Sequence, residues 1–543
     1  MNLINKHIYF LLLGVIFIAA FFRTHQLAIV PPSASLDEAT TGYNAYSILQ
    51  TGKDEYGTSF PIILRAYDDY RPALYTYLTI PFIKLFGLTT EAVRLPSALL
   101  SIASVLSVYF LVEGLFSTLK NKKILGLLVS FLLAISPWSI YVSRLGHEAN
   151  AGFAFFIFFL TLFVRKKYIS SFFFFALSFA SYQSEKVFLP LVFVSLVIIY
   201  KDDLLRARKK VFLGFIIMLI ILIPFIKISL SPQALIRFKA TSAFQDTSLY
   251  QQSANQLLID KMQHNYISLF MDNRRLIPVK IFLDNYISHF NPQWLFSNVG
   301  REDFKVPYVG LLYLWEFPCI LIGMVYAIRA KFPKSTKLTI LTWTIASFVP
   351  AALTTGAPHA LRSYTLLPVP QILTALGLIA GFVFLQKFLK QKSIFIALLL
   401  VVVVAMSIKN FYFSYFYLFP KQLSEPYQYA LSQAIKYVQI HKNEYHQIII
   451  SNQDNLYQSY MFYLFFTRYN PVTYQKMGGT KSGGFAVTHA YDTVVFRPLV
   501  WPDEKKDSSI LYVGNPSDFL PNASILFKGS YLDQKVGVLV VKG

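Results

Sequence analysis

The residues of this chain that suit chemistry lie in a few short polar stretches between long apolar runs. The first is Ser35-Leu36-Asp37-Glu38, with Gly52 further on. Ser35 followed three positions later by Glu38 is a capping box and Gly52 a stop signal, so a helix is expected to start at Leu36. Asp37 then sits in the first helical turn, where the dipole favours its ionised form, and a carboxylate held ionised suits a general base. Asp37 and Glu38 serve equally well as the acidic first turn of a juxtamembrane helix, so both readings stand. A second stretch, Ala66-Tyr67-Asp68-Asp69-Tyr70-Arg71-Pro72, offers two carboxylates and a guanidinium that can grip phosphate oxygens in a bidentate way. It reads alternatively as an interfacial helix headed by an Arg–Asp pair. Arg94, in Glu91-Ala92-Val93-Arg94-Leu95-Pro96-Ser97, is a further candidate or an arginine that snorkels to the interface.

Two more stretches complete the set. Ser143-Arg144-Leu145-Gly146-His147-Glu148 is a tight turn that brings Arg144, His147 and Glu148 to one place. Ionisable groups at membrane depth are costly unless paired and mark function by default, although an Arg–Glu pair that merely closes the turn is the competing reading. Pro358-His359-Ala360-Leu361-Arg362 sets His359 and Arg362 one turn apart at an expected helix start, where backbone N–H groups favour an anion. There the alternative is a pair of interfacial anchors.

What positions these stretches is a membrane-embedded scaffold. Hydrophobic residues make up 55% of the 543 residues and charged residues 14%, a balance that ordinary soluble domains do not show. The net charge of +22 sits in short basic clusters between apolar runs, which is a topology signal and not a nucleic-acid surface. The single cysteine, Cys319, excludes a disulfide framework.

About eleven apolar runs approach spanning length: 8–30, 93–116, 124–142, 149–164, 170–182, 187–200, 211–229, 307–328, 338–354, 363–385 and 393–412. The first, after Lys6, reads as an uncleaved span. Basic clusters at 120–123, 165–167, 201–210, 329–337 and 387–392 occupy one set of alternate loops, whereas the opposing short loops hold only Arg144, Lys186 and Arg362. The positive-inside rule makes the first set cytoplasmic. The amino terminus is then inside, and the outer side carries the segments 31–92 and 230–306 and everything after about 413.

The division expected is therefore an all-α transmembrane domain over 1–412 and an extracytoplasmic α/β domain over 413–543. The second rests on β-rich runs at 448–450, 494–496, 510–513 and 536–541 and on helical stretches near 427–440 and 456–467.

Taken together, the stretches resemble those of the integral membrane glycosyltransferases of the C-type fold, in the family 39-like branch of protein mannosyltransferases and aminoarabinose transferases. The resemblance covers residues 1 to about 410. It rests on Leu36-Asp37-Glu38, Arg71-Pro72, Glu91 with Arg94-Leu95-Pro96-Ser97, Ser143-Arg144 with Glu148, and Pro358-His359-Ala360-Leu361-Arg362. It implies that Asp37 is the catalytic base, that Arg71 lies near the donor phosphate, and that Arg362 contacts a lipid phosphate. Pro72-Ala73 departs from the double proline of relatives.

The reaction expected is transfer of a sugar from a polyprenyl-phosphate donor to an acceptor hydroxyl of a protein, lipid or glycan on the outer face of the plasma (inner) membrane. Such a phosphate is a good leaving group, so one base plus cations for the developing charge suffice, and a single displacement inverts the anomeric centre. The catalytic candidates are Asp37, Glu38 and Glu148. The substrate-binding candidates are Asp68, Asp69, Arg71, Arg94, Arg144, His147, His359 and Arg362. No Cys/His cluster stands on the outer side, so neither a metal nor another cofactor is expected. A lipid-linked glycan polymerase or ligase would bring arginine-rich outer loops instead, and a transporter would place ionisable groups at mid-membrane on broken helices.

Overall fold

The computed structural model describes residues 7–67, 69–229, 231, 240–245, 247–298, 304–389, 392–481 and 488–543. They fall into two compact units: Met1–Ile16, Ser104–Ser139 and Gly152–Ser407 form one, and Phe17–Ala103, Ile140–Ala151 and Ile408–Gly543 the other.

The first unit is helical. Its sequences are dense in Phe, Leu and Ile on every face, as in Glu148–Val164, Tyr168–Ser181, Glu185–Ile199 and Arg208–Ser229. Large side chains such as Phe212, Ile220 and Ile223 point away from the protein, which suits lipid as the surrounding solvent. The helices Glu316–Arg329 and Val369–Leu389 pack closely because a Cβ on Gly323 or Gly377 would overlap the backbone of Leu373 or Cys319. Small residues at such contacts are how membrane helices approach one another.

Each of the eleven apolar runs contains a helix. Among the described residues, four helical stretches are long and apolar enough to cross a bilayer: Thr90–Leu115, Arg208–Ser229, Tyr364–Lys387 and Ile394–Leu423. A fifth arises if Lys122–Ile135 and Pro137–Ser143, bent by 60° at Ser136, count as one span. That bend breaks the run read as a single span at 124–142: Pro137 cannot donate to the preceding helix, but it starts a new one well. The run at 307–328 becomes helical only at Glu316; ahead of it the chain is irregular, and Gly310 lies close against the backbone of Phe296. Likewise the region of His359 and Arg362 is a chain of turns and not a helix start: a short 3-10 turn follows at Tyr364–Leu366, and the regular α-helix of that span begins at Val369. The residue ahead of Pro368 is steered away from helical geometry.

The second unit combines helices with two sheets. A hairpin joins β1 (Ile63–Ala66) to β2 (Asp69–Pro72). A six-stranded sheet contains β3 (Gln447–Ile450), β4 (His489–Tyr491), β5 (Val494–Phe496), β6 (Ile510–Gly514), β7 (Ser524–Ser530) and β8 (Val536–Lys542), in the order β4-β5-β3-β6-β8-β7. Strand β3 lies parallel to both β5 and β6 and is covered on both faces, which explains its unbroken Ile-Ile-Ile. Ile448 and Ile450 enter the core shared with Leu431, Ile435 and Phe465, whereas Ile449 packs on Trp501 and Tyr512, as the two-residue period of a strand requires. Tyr43 and Ala39 of the Leu36–Thr51 helix belong to the same core as Ile448 and Ile450, so that helix and the carboxy-terminal sheet stand in one packed body.

Candidate active site

The Leu36–Thr51 helix is built as its sequence demands. Ser35 Oγ accepts the Glu38 N–H at 3.2 Å, Glu38 Oε2 accepts the Ser35 N–H at 2.8 Å, and Gly52 closes the helix in the left-handed region at φ 71°. The two acids of the first turn then diverge. Glu38 is 1% exposed, and its oxygens also accept Arg94 Nε at 2.8 Å, Arg94 Nη2 at 2.9 Å and the Gly146 N–H at 2.8 Å. Asp37 faces outward with 39% of its side chain exposed.

Arg94 and Arg144 are turned inward. Arg94 is fully buried and donates to Glu38 and to the carbonyls of Leu27, Pro31 and Ser33, which uses all of its guanidinium N–H groups. Arg144 donates to the carbonyls of Phe22 and Val30 and stacks over Phe416 at 5.0 Å. Both hold the irregular stretch between Phe22 and Ser33 in place, and that stretch delivers the Asp37 helix.

Around Asp37 stand Arg71 and His147. The hairpin aligns Leu64 with Arg71, and Tyr67, at φ 61°, makes its turn. Arg71 Nη2 donates to Asp37 Oδ1 at 2.5 Å. Arg71 Nη1 is buried with no hydrogen-bond partner among the described residues. It belongs to a small cleft lined by Thr40, Tyr75, Thr76 and Glu148. Burial pulls the Arg71 pKa down, but Asp37, then Glu148 and Asp69, more than reverse this and hold the cation above its ordinary value.

His147 Nδ1 accepts the Ala149 N–H at 3.0 Å, so the neutral ring carries its proton on Nε2, which lies 3.9 Å from Asp37 Oδ2. Glu148, 5% exposed, starts the Glu148–Val164 helix with Oε2 3.6 Å from His147 Nδ1. Asp69 closes the hairpin and accepts the Tyr70 N–H at 2.8 Å. Asp68 lies outside the described residues.

His359 and Arg362 belong to the first unit. Arg362 Nη1 donates to Thr354 Oγ1 at 2.7 Å and to the Thr355 carbonyl at 2.6 Å, and the Arg362 N–H reaches His359 Nδ1 at 3.3 Å. His289, absent from the sequence candidates, accepts the His359 N–H at 3.2 Å. Burial brings the His289 pKa down to about 4 and keeps that ring neutral. Tyr67 also escaped the sequence reading: its hydroxyl meets Thr40 Oγ1 at 2.5 Å beside the cleft, and nothing in its local sequence announces that contact. Among the described residues no group of three His, Cys, Asp or Glu side chains is placed to hold a metal ion.

Fold and site together define a helical membrane protein that carries a carboxylate–guanidinium–imidazole cluster in its second compact unit. Residues 70–228 match the family described as dolichyl-phosphate-mannose-protein mannosyltransferase. In fold the chain is similar to ArnT from Cupriavidus metallidurans bound to undecaprenyl phosphate, with a TM-score of 0.55, 12% identity and 97% of each chain covered. The apo state of that protein gives a TM-score of 0.51, with 14% identity over 98% of this chain and 97% of that one. The oligosaccharyltransferase of Archaeoglobus fulgidus tethered with an acceptor peptide gives 0.51, with 10% identity over 86% of this chain and 64% of that one. No curated protein matches the sequence. The resemblance to the C-type-fold membrane glycosyltransferases is thereby borne out.

Proposed function

We propose that this protein is a membrane glycosyltransferase that moves a sugar from a polyprenyl-phosphate donor to an acceptor hydroxyl on the outer membrane face, with inversion. The observation that carries the reading is the Asp37–Arg71 pair: a part-exposed carboxylate is held by one guanidinium nitrogen while the other, Nη1, is buried without a hydrogen-bond partner among the described residues.

In the reaction, Asp37 takes the proton of the acceptor hydroxyl as that oxygen attacks the anomeric carbon, and the bond to the polyprenyl phosphate breaks. Arg71 fixes the Asp37 carboxylate and offers Nη1 to the phosphate oxygens, a charge-assisted contact that strengthens as the leaving group gains charge. His147 presents its Nε2–H toward Asp37 and orients the carboxylate. Glu148 and Asp69 keep the local field negative, so a cationic Arg71 costs little there. Glu38, Arg94 and Arg144 serve as scaffold.

The proposal includes about eleven spans, a cytoplasmic amino terminus, and an extracytoplasmic domain over 413–543. Arg362 and His359 are assigned to an anionic lipid headgroup. The match at 70–228 to the mannosyltransferase family supports the reaction class, and the undecaprenyl phosphate bound to ArnT supports the donor class. The test is to incubate the purified protein with a panel of polyprenyl-phosphate sugars and acceptor hydroxyls and to follow release of the polyprenyl phosphate. Release that depends on acceptor supports the reading. Its absence with every donor rejects it.

A further inference from the structure

A second carboxylate, far from Asp37 in its bonding, has no part in this chemistry. Glu55 follows the Leu36–Thr51 helix in sequence and is 0% exposed. Three segments converge on it. Asn44, on the helix, donates Nδ2 to Glu55 Oε1 at 3.0 Å and accepts the Glu55 N–H on Oδ1 at 2.9 Å. Tyr460, on the Ser459–Thr467 helix, places its hydroxyl 3.2 Å from Oε2. Thr480 places Oγ1 2.8 Å from Oε2 and donates its N–H to the Glu55 carbonyl at 3.1 Å.

The chemistry of the partners points to a neutral acid. Among the described residues no Lys, Arg or His shares a hydrogen bond or ion pair with Glu55. The ionisable groups electrostatically coupled to it are the acids Asp54, Tyr43, Tyr56, Tyr67, Tyr460 and Tyr474; the nearby bases contact these and not Glu55, Arg65 lying over the Tyr56 ring at 5.0 Å and His489 stacking on the Tyr460 ring at 4.2 Å. An ionised carboxylate buried in such a place is costly. A protonated one fits the geometry: Oε1 accepts from Asn44, and the Oε2 proton goes to the Thr480 or Tyr460 hydroxyl, both of which can accept.

Neighbouring contacts make the same junction a clamp. Gln475 Nε2 donates to Ser47 Oγ and Thr51 Oγ1 at 3.0 Å each, and Tyr43 Oη donates to the Tyr469 carbonyl at 3.3 Å. The helix gripped at Tyr43, Asn44, Ser47 and Thr51 is the one that carries Asp37 in its first turn.

We propose that neutral Glu55 is a positioning residue through which the carboxy-terminal segment clamps the Asp37 helix, so that the clamp loosens when Glu55 ionises. The catalytic half of this inference rests on the function proposed above, and the clamp itself does not. Burial raises the Glu55 pKa from 4.5 to about 7, against the lowering effect of the bonds from Asn44 and Thr480. Between those two values the folded chain keeps a proton that the unfolded chain has lost. Stability from this group therefore falls as pH rises from 4.5 to about 7 and is level above that range.

The experiment compares wild type, Glu55→Gln and Glu55→Ala as full chains in detergent. Melting temperature is followed from about pH 5 to about pH 8, and transfer kinetics are measured at one pH. Glutamine reproduces the neutral acid, with an oxygen for Asn44 and an NH2 for the two hydroxyls. The wild type is expected to lose melting temperature with rising pH, and Glu55→Gln to lose less. Equal pH slopes would overturn the neutral clamp, whatever the activity. For transfer, Glu55→Ala is expected to lower kcat by about tenfold or more while donor KM changes less than about twofold, with Glu55→Gln restoring kcat. An unchanged kcat in a folded Glu55→Ala protein, or no rescue by glutamine, would overturn the positioning role. If wild type itself transfers nothing, the proposed reaction fails while the melting comparison still judges the clamp.

Discussion

Asp37 and Glu38 are neighbours in sequence whose carboxylates live in opposite surroundings: Asp37 is 39% exposed beside Arg71 and His147, whereas Glu38 is buried and bound at both oxygens by Arg94. One helical turn thus holds one carboxylate open to solvent and ties the other into the core. The rotation of about 100° between successive helical residues is what separates them.

For Glu38, the expected effect of substitution is on stability. Glu38→Gln leaves the buried Arg94 guanidinium without a counter-charge, and breaking one side of a buried pair costs about 3–5 kcal/mol. The melting temperature of Glu38→Gln in detergent should drop clearly below that of wild type, whereas Asp37→Asn should melt within a few degrees of it.

Arg71→Ala should weaken donor use while leaving the protein folded. Loss of a charge-assisted hydrogen bond costs about 1.5–3 kcal/mol, or roughly one to two orders of magnitude in kcat/KM. Arg71→Lys should recover only part of this, because an ammonium does not bridge Asp37 and a phosphate as a planar guanidinium does. Donor saturation curves for the two variants check it.

His147→Ala should lower transfer by about tenfold, the worth of one modest orienting contact, and less than any change at Asp37. Steady-state rates at matched protein concentration measure the ranking.

Topology supplies an independent check. Reporter tags inserted at 121 and 205 should read as cytoplasmic, and tags at 250 and beyond 430 as external, because the basic loops lie on the first side. A cytoplasmic carboxy-terminal segment would place Asp37 on the wrong side for the reaction proposed.

Much of the scaffold was legible because its signals are local. Ser35, Glu38 and Gly52 announce the start and stop of one helix, and the runs at 448–450, 494–496, 510–513 and 536–541 all become strands of the observed sheet. Strand β7 was missed because it is largely exposed and shows no clean alternation, and β4 because it is three residues long. The hairpin around Arg71 was missed for a different reason. Its turn is made by Tyr67 at φ 61°, a position usually signalled by Gly or Asn. Arg94 reads in sequence as a substrate contact or a snorkelling arginine, and Arg144 as a substrate contact or half of a turn-closing Arg–Glu pair; only the tertiary path of the stretch between Phe22 and Ser33 shows that its carbonyls take their hydrogen bonds. Glu55 carries no sequence signal at all, since Tyr460 and Thr480 lie 405 and 425 residues away.

The proposed reaction depends most on Asp37 acting as the base that activates the acceptor. Asp37→Asn keeps the size of the side chain and much of the first-turn geometry but removes the proton acceptor. The decisive measurement is single-turnover sugar transfer by Asp37→Asn alongside wild type, with donor binding measured on the same samples. Donor binding is expected to be normal and the rate reduced by about two to four orders of magnitude, the range that general-base catalysis supplies. Transfer at the wild-type rate by a folded Asp37→Asn protein would contradict it.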